Sequence, residues 1–277
     1  MQTEGAKVVF DAHILLAEDN QVNHVVALKM LELMGCRVDV AENGREAVEA
    51  AAKASFDLIL MDCHMPEMDG FAAAAKIREH EQAGGNSQRV PIVALTADVQ
   101  KGVQDQCMAA GMDGYLSKPF TQDQLRAVLL RWLDRHGEFA GSKSMEQSAW
   151  PDEHKETEPL LERHVLDKIR ALQRPGKPNI LGKIIKLYLE NSPGLITTVR
   201  ESVEQGDGGA LCEAAHSLKS SSANLGAIQL AAVCKELKDM GREGRTDGAK
   251  ALMGRIESEY QSARAALAGE LGRISDE

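Results

Sequence analysis

The chain has 277 residues, 43% of them hydrophobic and 27% charged, with 32 basic against 42 acidic side chains and a formal charge of −10. That is ordinary globular composition at a length that favours two domains, and the acidic excess argues against nucleic acid, whose phosphates call for a basic face. The longest apolar runs, such as Leu58–Met61, fall far short of the ~20 residues that cross a bilayer, and Met1–Gly5 has no signal-peptide layout, so no membrane insertion is expected.

From His13 to about Arg135, short apolar runs alternate with helical patterns. Ile14–Ala17, Arg37–Val40, Leu58–Met61, Ile92–Leu95 and Tyr115–Leu116 read as strands; Val22–Met34, Gly44–Ala54, Gly70–His80, Val99–Ala110 and Gln122–Leu133 read as helices. Five β-α units in a row predict a parallel sheet with helices on both faces, whose ligands gather beyond the carboxyl ends of the strands. Between 136 and 159 Gly, Ser, Lys, Glu and Pro take over, which predicts a flexible linker with a root-mean-square reach of roughly 25 to 29 Å. After Leu160 only helical signals remain: Leu161–Leu172, Asn179–Gln205, Ala210–Asn224, Ala227–Gly241 and Asp247–Leu271. Short connections between substantial helices predict an antiparallel four-helix bundle, with a kink or a new start at Pro193 and Asp207 as an N-cap. The expected domains are therefore 13–135 and 160–272, joined by 136–159. Five cysteines with no C-x-x-C spacing suggest neither a disulfide framework nor a zinc site, and fit a reducing cytoplasm.

Glu18 and Asp19 follow the first predicted strand and Asp62 follows the third, so three carboxylates can meet above adjacent strand ends. Such a cluster needs a cation, and hard oxygen donors suit Mg²⁺. Asp62 could then act as a nucleophile toward a phosphoryl group, with Thr96 and Lys118 supplying a hydroxyl and an ammonium to its oxygens. The plainer alternative is a set of capping and solvated carboxylates beside a surface lysine.

The segments Leu15-Leu16-Ala17-Glu18-Asp19-Asn20, Met61-Asp62-Cys63-His64-Met65-Pro66-Glu67-Met68-Asp69-Gly70, Ala94-Leu95-Thr96-Ala97 and Leu116-Ser117-Lys118-Pro119-Phe120 resemble the response-regulator receiver family. The resemblance implies a flavodoxin-like, doubly wound fold over 13–135. It also implies Asp62 as phosphoacceptor, Glu18, Asp19, Asp62 and the backbone carbonyl of His64 as Mg²⁺ ligands, Thr96 as switch hydroxyl, Lys118 as phosphoryl contact, Tyr115 as switch aromatic, and a cis bond before Pro119. The His64 side chain, two residues past the acceptor, is expected to be exposed and to tune phosphoryl lifetime.

In the second half, Leu211, Ala215, Leu218, Ser222 and Leu225 fall within a stripe about 90° wide at 100° per residue, and His216 points roughly 140° from its centre. His216 is thus expected to face solvent, as a mostly neutral imidazole of pKa near 6.5, among Cys212, Lys219, Ser220, Ala223 and Ala227. Lys219, one turn on, could offset phosphoryl charge. The stretch from His216 to Ala227 resembles the histidine phosphotransfer (HPt) family, where His-x-Leu-Lys-Gly opens the motif; Ser220 stands at the glycine.

Together the two resemblances imply a phosphorelay intermediate similar to the C-terminal part of a hybrid sensor histidine kinase or to a stand-alone relay protein. A histidine kinase would be the phosphodonor and a separate response regulator the recipient. The sequence has no asparagine- and glycine-rich boxes to cradle ATP phosphates, so its own kinase chemistry is not expected. A cytoplasmic chain is expected, membrane-tethered if it ends a longer kinase. Two rival readings stay open: a receiver that covers the HPt domain or a kinase, and a phosphate sink in which Asp62 drains a regulator through His216.

Overall fold

A computed structural model describes residues 9–83, 89–97, 101–133, 161–174, 176 and 178–275. The expected linker, 136–159, lies outside them.

Five strands, β1 (His13–Ala17), β2 (Arg37–Ala41), β3 (Leu58–Asp62), β4 (Ile92–Thr96) and β5 (Gly114–Ser117), form one parallel sheet in the order β2-β1-β3-β4-β5. The register pairs Leu16 with Leu60 and Asp62 with Leu95, so the carboxyl ends of β1, β3 and β4 finish side by side. β3 and β4 are buried along their whole length, as expected of parallel strands covered on both faces. Alternation sorts their side chains. Ile14, Leu16, Leu58, Leu60, Val93 and Leu95 enter one core, while Leu15, Ala17, Ile59, Met61, Ile92 and Ala94 enter another across the sheet.

Helices α1 (Gln21–Leu33) and α5 (Gln122–Leu133) contribute to the first core; α2 (Gly44–Lys53), α3 (Gly70–Ala83) and α4 (Lys101–Ala109) contribute to the second. Asn20 caps α1 by accepting from the Val22 and Asn23 amides. Gly70 is dictated by space, because a Cβ there would lie 2.0 Å from the Asp62 carbonyl oxygen. That close approach lets α3 begin directly against the end of β3.

The second half is helical: α6 (Arg163–Arg170), α7 (Ile180–Gln205), α8 (Gly208–Asn224), α9 (Ile228–Arg242), a 3-10 turn (Gly248–Leu252) and α10 (Met253–Ser275). Pro193 lies inside α7 and starts no new helix. Asp207 caps α8 by accepting from the Ala210 amide. α7 and α10 run in opposite directions, since Gly182 lies near Leu271 and Ile274 while Arg200 pairs with Glu257 at 2.7 Å. Gly226, at φ 75°, turns the chain from α8 to α9 in a conformation that side chains disfavour.

The two halves dock. α1 packs against α7 and α8, and Val22, Val26, Met30 and Leu31 belong to the same continuous core as Leu181, Ile185, Leu211 and Leu218. Polar contacts frame the apolar seam. The Asn20 amide donates to the Ser217 carbonyl at 3.2 Å and hydroxyl at 2.8 Å. Asn224 donates to Asn23 at 2.7 Å, Asn191 to Gln21 at 3.2 Å, and Arg174 to the Glu32 carbonyl at 2.8 Å.

Candidate functional site

The ends of β1, β3 and β5 deliver the charged groups. Carboxylate oxygens of Glu18, Asp19 and Asp62 all lie within 4.8 Å of one another. Lys118, just past β5 and before a cis bond to Pro119, places its Nζ 2.5 Å from Glu18 Oε2 and 2.5 Å from Asp62 Oδ2. Asn23 Nδ2 donates to the other Glu18 oxygen at 2.9 Å. Burial first, and then the neighbouring Asp62 charge, push Glu18 up to about 8 despite Lys118, and push Asp19 up to about 6. Burial opposes the Lys118 charge, but the two carboxylates outweigh it and its pKa is raised. Three hard donors repelling one another around a single ammonium are a donor set that a small divalent cation fits.

Thr96 is buried at the end of β4, level with Ser117 of β5. Tyr115 on β5 stands outside, 42% exposed. Asp62 Oδ1 accepts from the His64 amide at 3.2 Å, which folds the chain back over the acceptor. Beyond this turn Glu67 takes a φ of 64°, the left-handed region that costs a side chain free energy.

His216 overturns one expectation. It lies on the outer face of its own helical domain, with Leu211, Ala215, Leu218, Ser222 and Leu225 turned inward and all fully buried. Yet it is only 7% exposed, because the receiver half covers that face, and Ser220, Ala223 and Ala227 are buried as well. The wheel identified the correct face but could not show what sits on it. The His216 ring lies edge-on to the His64 ring, with centroids 5.0 Å apart, and His64 in turn meets Phe71 at 6.2 Å. Burial pushes His216 down to about 3 instead of the expected value near 6.5, so the docked imidazole is neutral. Neither of its ring nitrogens has a hydrogen-bond partner among the described residues.

Lys219 reaches across the seam and donates from Nζ to the Ala97 carbonyl at 3.2 Å, joining α8 to the loop after β4. The single-helix reading missed Asn20, Asn23, Asn224 and Lys238. Each is an ordinary polar residue in the sequence, and only the docking of α1 on α8, or of α9 beside it, brings it to the site. Their one available signal was position: Asn20 and Asn23 fall within five residues of Glu18.

A family profile described as the response regulator receiver domain matches residues 14–130, and one described as the Hpt domain matches 183–266. Sensor protein GacS of Pseudomonas syringae pv. syringae is 30% identical over 240 residues, covering 86% of this chain and 26% of that protein. Probable histidine kinase 1 of Oryza sativa subsp. indica is 41% identical over 149 residues, 44% of this chain and 15% of that one. Among solved structures, the receiver domain of sensor histidine kinase PA1611 from Pseudomonas aeruginosa PAO1, with a magnesium ion in its active-site cleft, is 44% identical over 45% of this chain and 98% of that one, at a TM-score of 0.41. The chain thus spans about a quarter or less of these two curated relatives. No helix among the described residues is long and apolar enough to cross a membrane. Residues 14–130 are a response regulator receiver domain and residues 183–266 an Hpt domain, and relatives that span both include a sensor histidine kinase.

Proposed function

We propose that this chain is a phosphorelay intermediate in which Asp62 and His216 exchange a phosphoryl group within one molecule, and His216 passes it to a separate response regulator. The observation that carries this reading is the His216 ring, neutral, unpartnered and held against His64, two residues from Asp62. A buried polar atom without a partner costs about 1–3 kcal/mol. A phosphoryl group between the two side chains would remove that cost.

A histidine kinase phosphohistidine would be the donor. An Asp62 oxygen attacks phosphorus and the donor imidazole leaves with its electron pair. In the second step a lone pair on the neutral His216 ring forms the N–P bond while the Asp62 oxygen–phosphorus bond breaks, and Asp62 is restored as a carboxylate. Lys118, already in contact with Asp62, and Thr96 face the phosphoryl oxygens. Glu18, Asp19, Asp62 and the His64 backbone carbonyl would hold Mg²⁺, which supplies charge neutralisation on those oxygens when bound. Lys219 ties the two domains together while the Ser217 to Asn20 and Asn224 to Asn23 contacts set the distance. Tyr115 would report occupancy by moving inward behind Thr96. Under this reading 13–135 and 160–272 are the working units and 136–159 the tether.

A second reading, the receiver as a cover, is favoured by the burial of His216 itself, since a docked receiver leaves no room for another. Acetyl phosphate labelling in Mg²⁺ separates the two. A relay puts acid-labile, base-stable label on His216, lost in His216→Gln and in Asp62→Asn, and hands it to an added receiver. Label confined to Asp62, with only its lifetime altered by His216→Gln, would instead support the cover.

A further inference from the structure

Ser220 occupies the position one helical turn after His216, and i, i+4 residues share a helix face. Its hydroxyl is buried and has no hydrogen-bond partner among the described residues. That is unusual for a helical hydroxyl in this chain: Thr197, Thr198, Ser202, Ser221 and Ser262 each donate to the carbonyl four residues earlier. Ser220 leaves that alternative unused. Its Oγ and both His216 nitrogens are thus buried polar atoms without partners among the described residues, one turn apart on α8.

A cation stands beside them. α8 and α9 run in opposite directions and approach so closely that a Cβ on Gly241 would lie 2.7 Å from the Cys212 amide nitrogen. Four residues on from Cys212 is His216, and three residues back from Gly241 is Lys238, so the register sets Lys238 opposite the histidine. Lys238 is 5% exposed and pairs with no carboxylate among the described residues. Its charge is felt at both His216 and His64. A buried hydroxyl without an acceptor is costly, as are the bare His216 nitrogens.

We propose that Ser220 Oγ and Lys238 Nζ form a phosphoryl-oxygen subsite on the Hpt side of the transfer, the hydroxyl donating one hydrogen bond and the ammonium a second to oxygens of the group carried by His216. This deepens the relay reading and rests on it. The glycine usual at the Ser220 position provides room and no donor, so the serine is a specific contact in this chain. The two contacts exist only while phosphorus is on, or moving to, His216. They therefore bias the Asp62/His216 partition toward the histidine.

The test uses the full chain labelled with acetyl phosphate in Mg²⁺, with the ratio of base-stable to base-labile label read at equilibrium. Ser220→Ala and Lys238→Gln should each lower that ratio about tenfold, the size of one charge-assisted hydrogen bond, while total label on Asp62 in a His216→Gln background is unchanged. Lys238→Arg should keep most of the wild-type ratio. Ser220→Gly should match Ser220→Ala, because both lack the hydroxyl. An order of Gly above Ala above Ser would show that bulk and not hydrogen bonding governs the position, and overturn the proposal. Wild-type ratios in both Ser220→Ala and Lys238→Gln would overturn it while leaving the relay intact. A wild-type chain that never labels His216 would overturn the relay reading and this subsite with it.

Discussion

Lys118 shows how much one side chain balances. Its ammonium, 4% exposed, lies 2.5 Å from each of two buried carboxylates. Replacing it by Met keeps the volume and leaves the buried Asp62 without its ammonium. Breaking a buried pair from one side typically costs about 3–5 kcal/mol, so Lys118→Met should lower urea-unfolding stability by roughly 3 kcal/mol in chelator. The loss should shrink when millimolar Mg²⁺ is added, since a cation can take over part of the neutralisation. An equal loss with and without Mg²⁺ would contradict the assignment of Glu18, Asp19 and Asp62 as its ligands. Asp62→Asn should abolish base-labile label from acetyl phosphate, an amide being unable to supply the attacking oxygen. Phosphorylation at wild-type level on that variant would remove Asp62 from the role.

Two helix starts carry separable tasks. Asp207 caps α8 through the Ala210 amide and hydrogen-bonds nothing across the seam among the described residues, so Asp207→Ala should cost about 1 kcal/mol of stability. Transfer should be nearly unaffected; a large change in the label partition with an unchanged melting temperature would mean that the cap acts on the site. Asn20 both caps α1 and donates to Ser217. Asn20→Asp keeps a good cap but replaces the donor with a carboxylate facing a carbonyl and a hydroxyl. Receiver stability should hold within about 0.5 kcal/mol, while intramolecular transfer slows and an added receiver gains access to His216. Unaltered transfer in both directions would show that the α1–α8 seam does not control it.

At the scale of the whole chain, docking and protonation are linked through His216. An exposed imidazole titrates near 6.5, whereas the docked one is pushed by burial down to about 3. The docked form therefore binds fewer protons, docking is fully favoured above pH 6.5, and it weakens as pH falls below that value, by up to about tenfold per unit. Small-angle scattering from pH 8 to pH 5 should show the radius of gyration rising, and His216→Gln should flatten the profile. A wild-type chain that stays equally compact through pH 5 would refute this linkage.

Much of this was legible in the order of residues. Short continuous apolar runs at β1, β3 and β4 and the β-α rhythm establish the parallel sheet, because strands buried at nearly every position must be covered on both faces and few other folds do that. The same rhythm places Glu18, Asp19, Asp62, Thr96 and Lys118 at neighbouring strand ends, and a 3.6-residue period places His216 on the outer face of α8. These are local facts: each depends on spacing along one element. The burial of His216, its depressed pKa and its contact with His64 belong to the other kind. They arise from α1 meeting α7 and α8 across more than 150 residues of chain, as the Asn20 and Asn23 contacts do. Helical periodicity identifies which face of a helix turns away from its own core. What then covers that face depends on complementarity between distant surfaces, and only the assembled chain decides it.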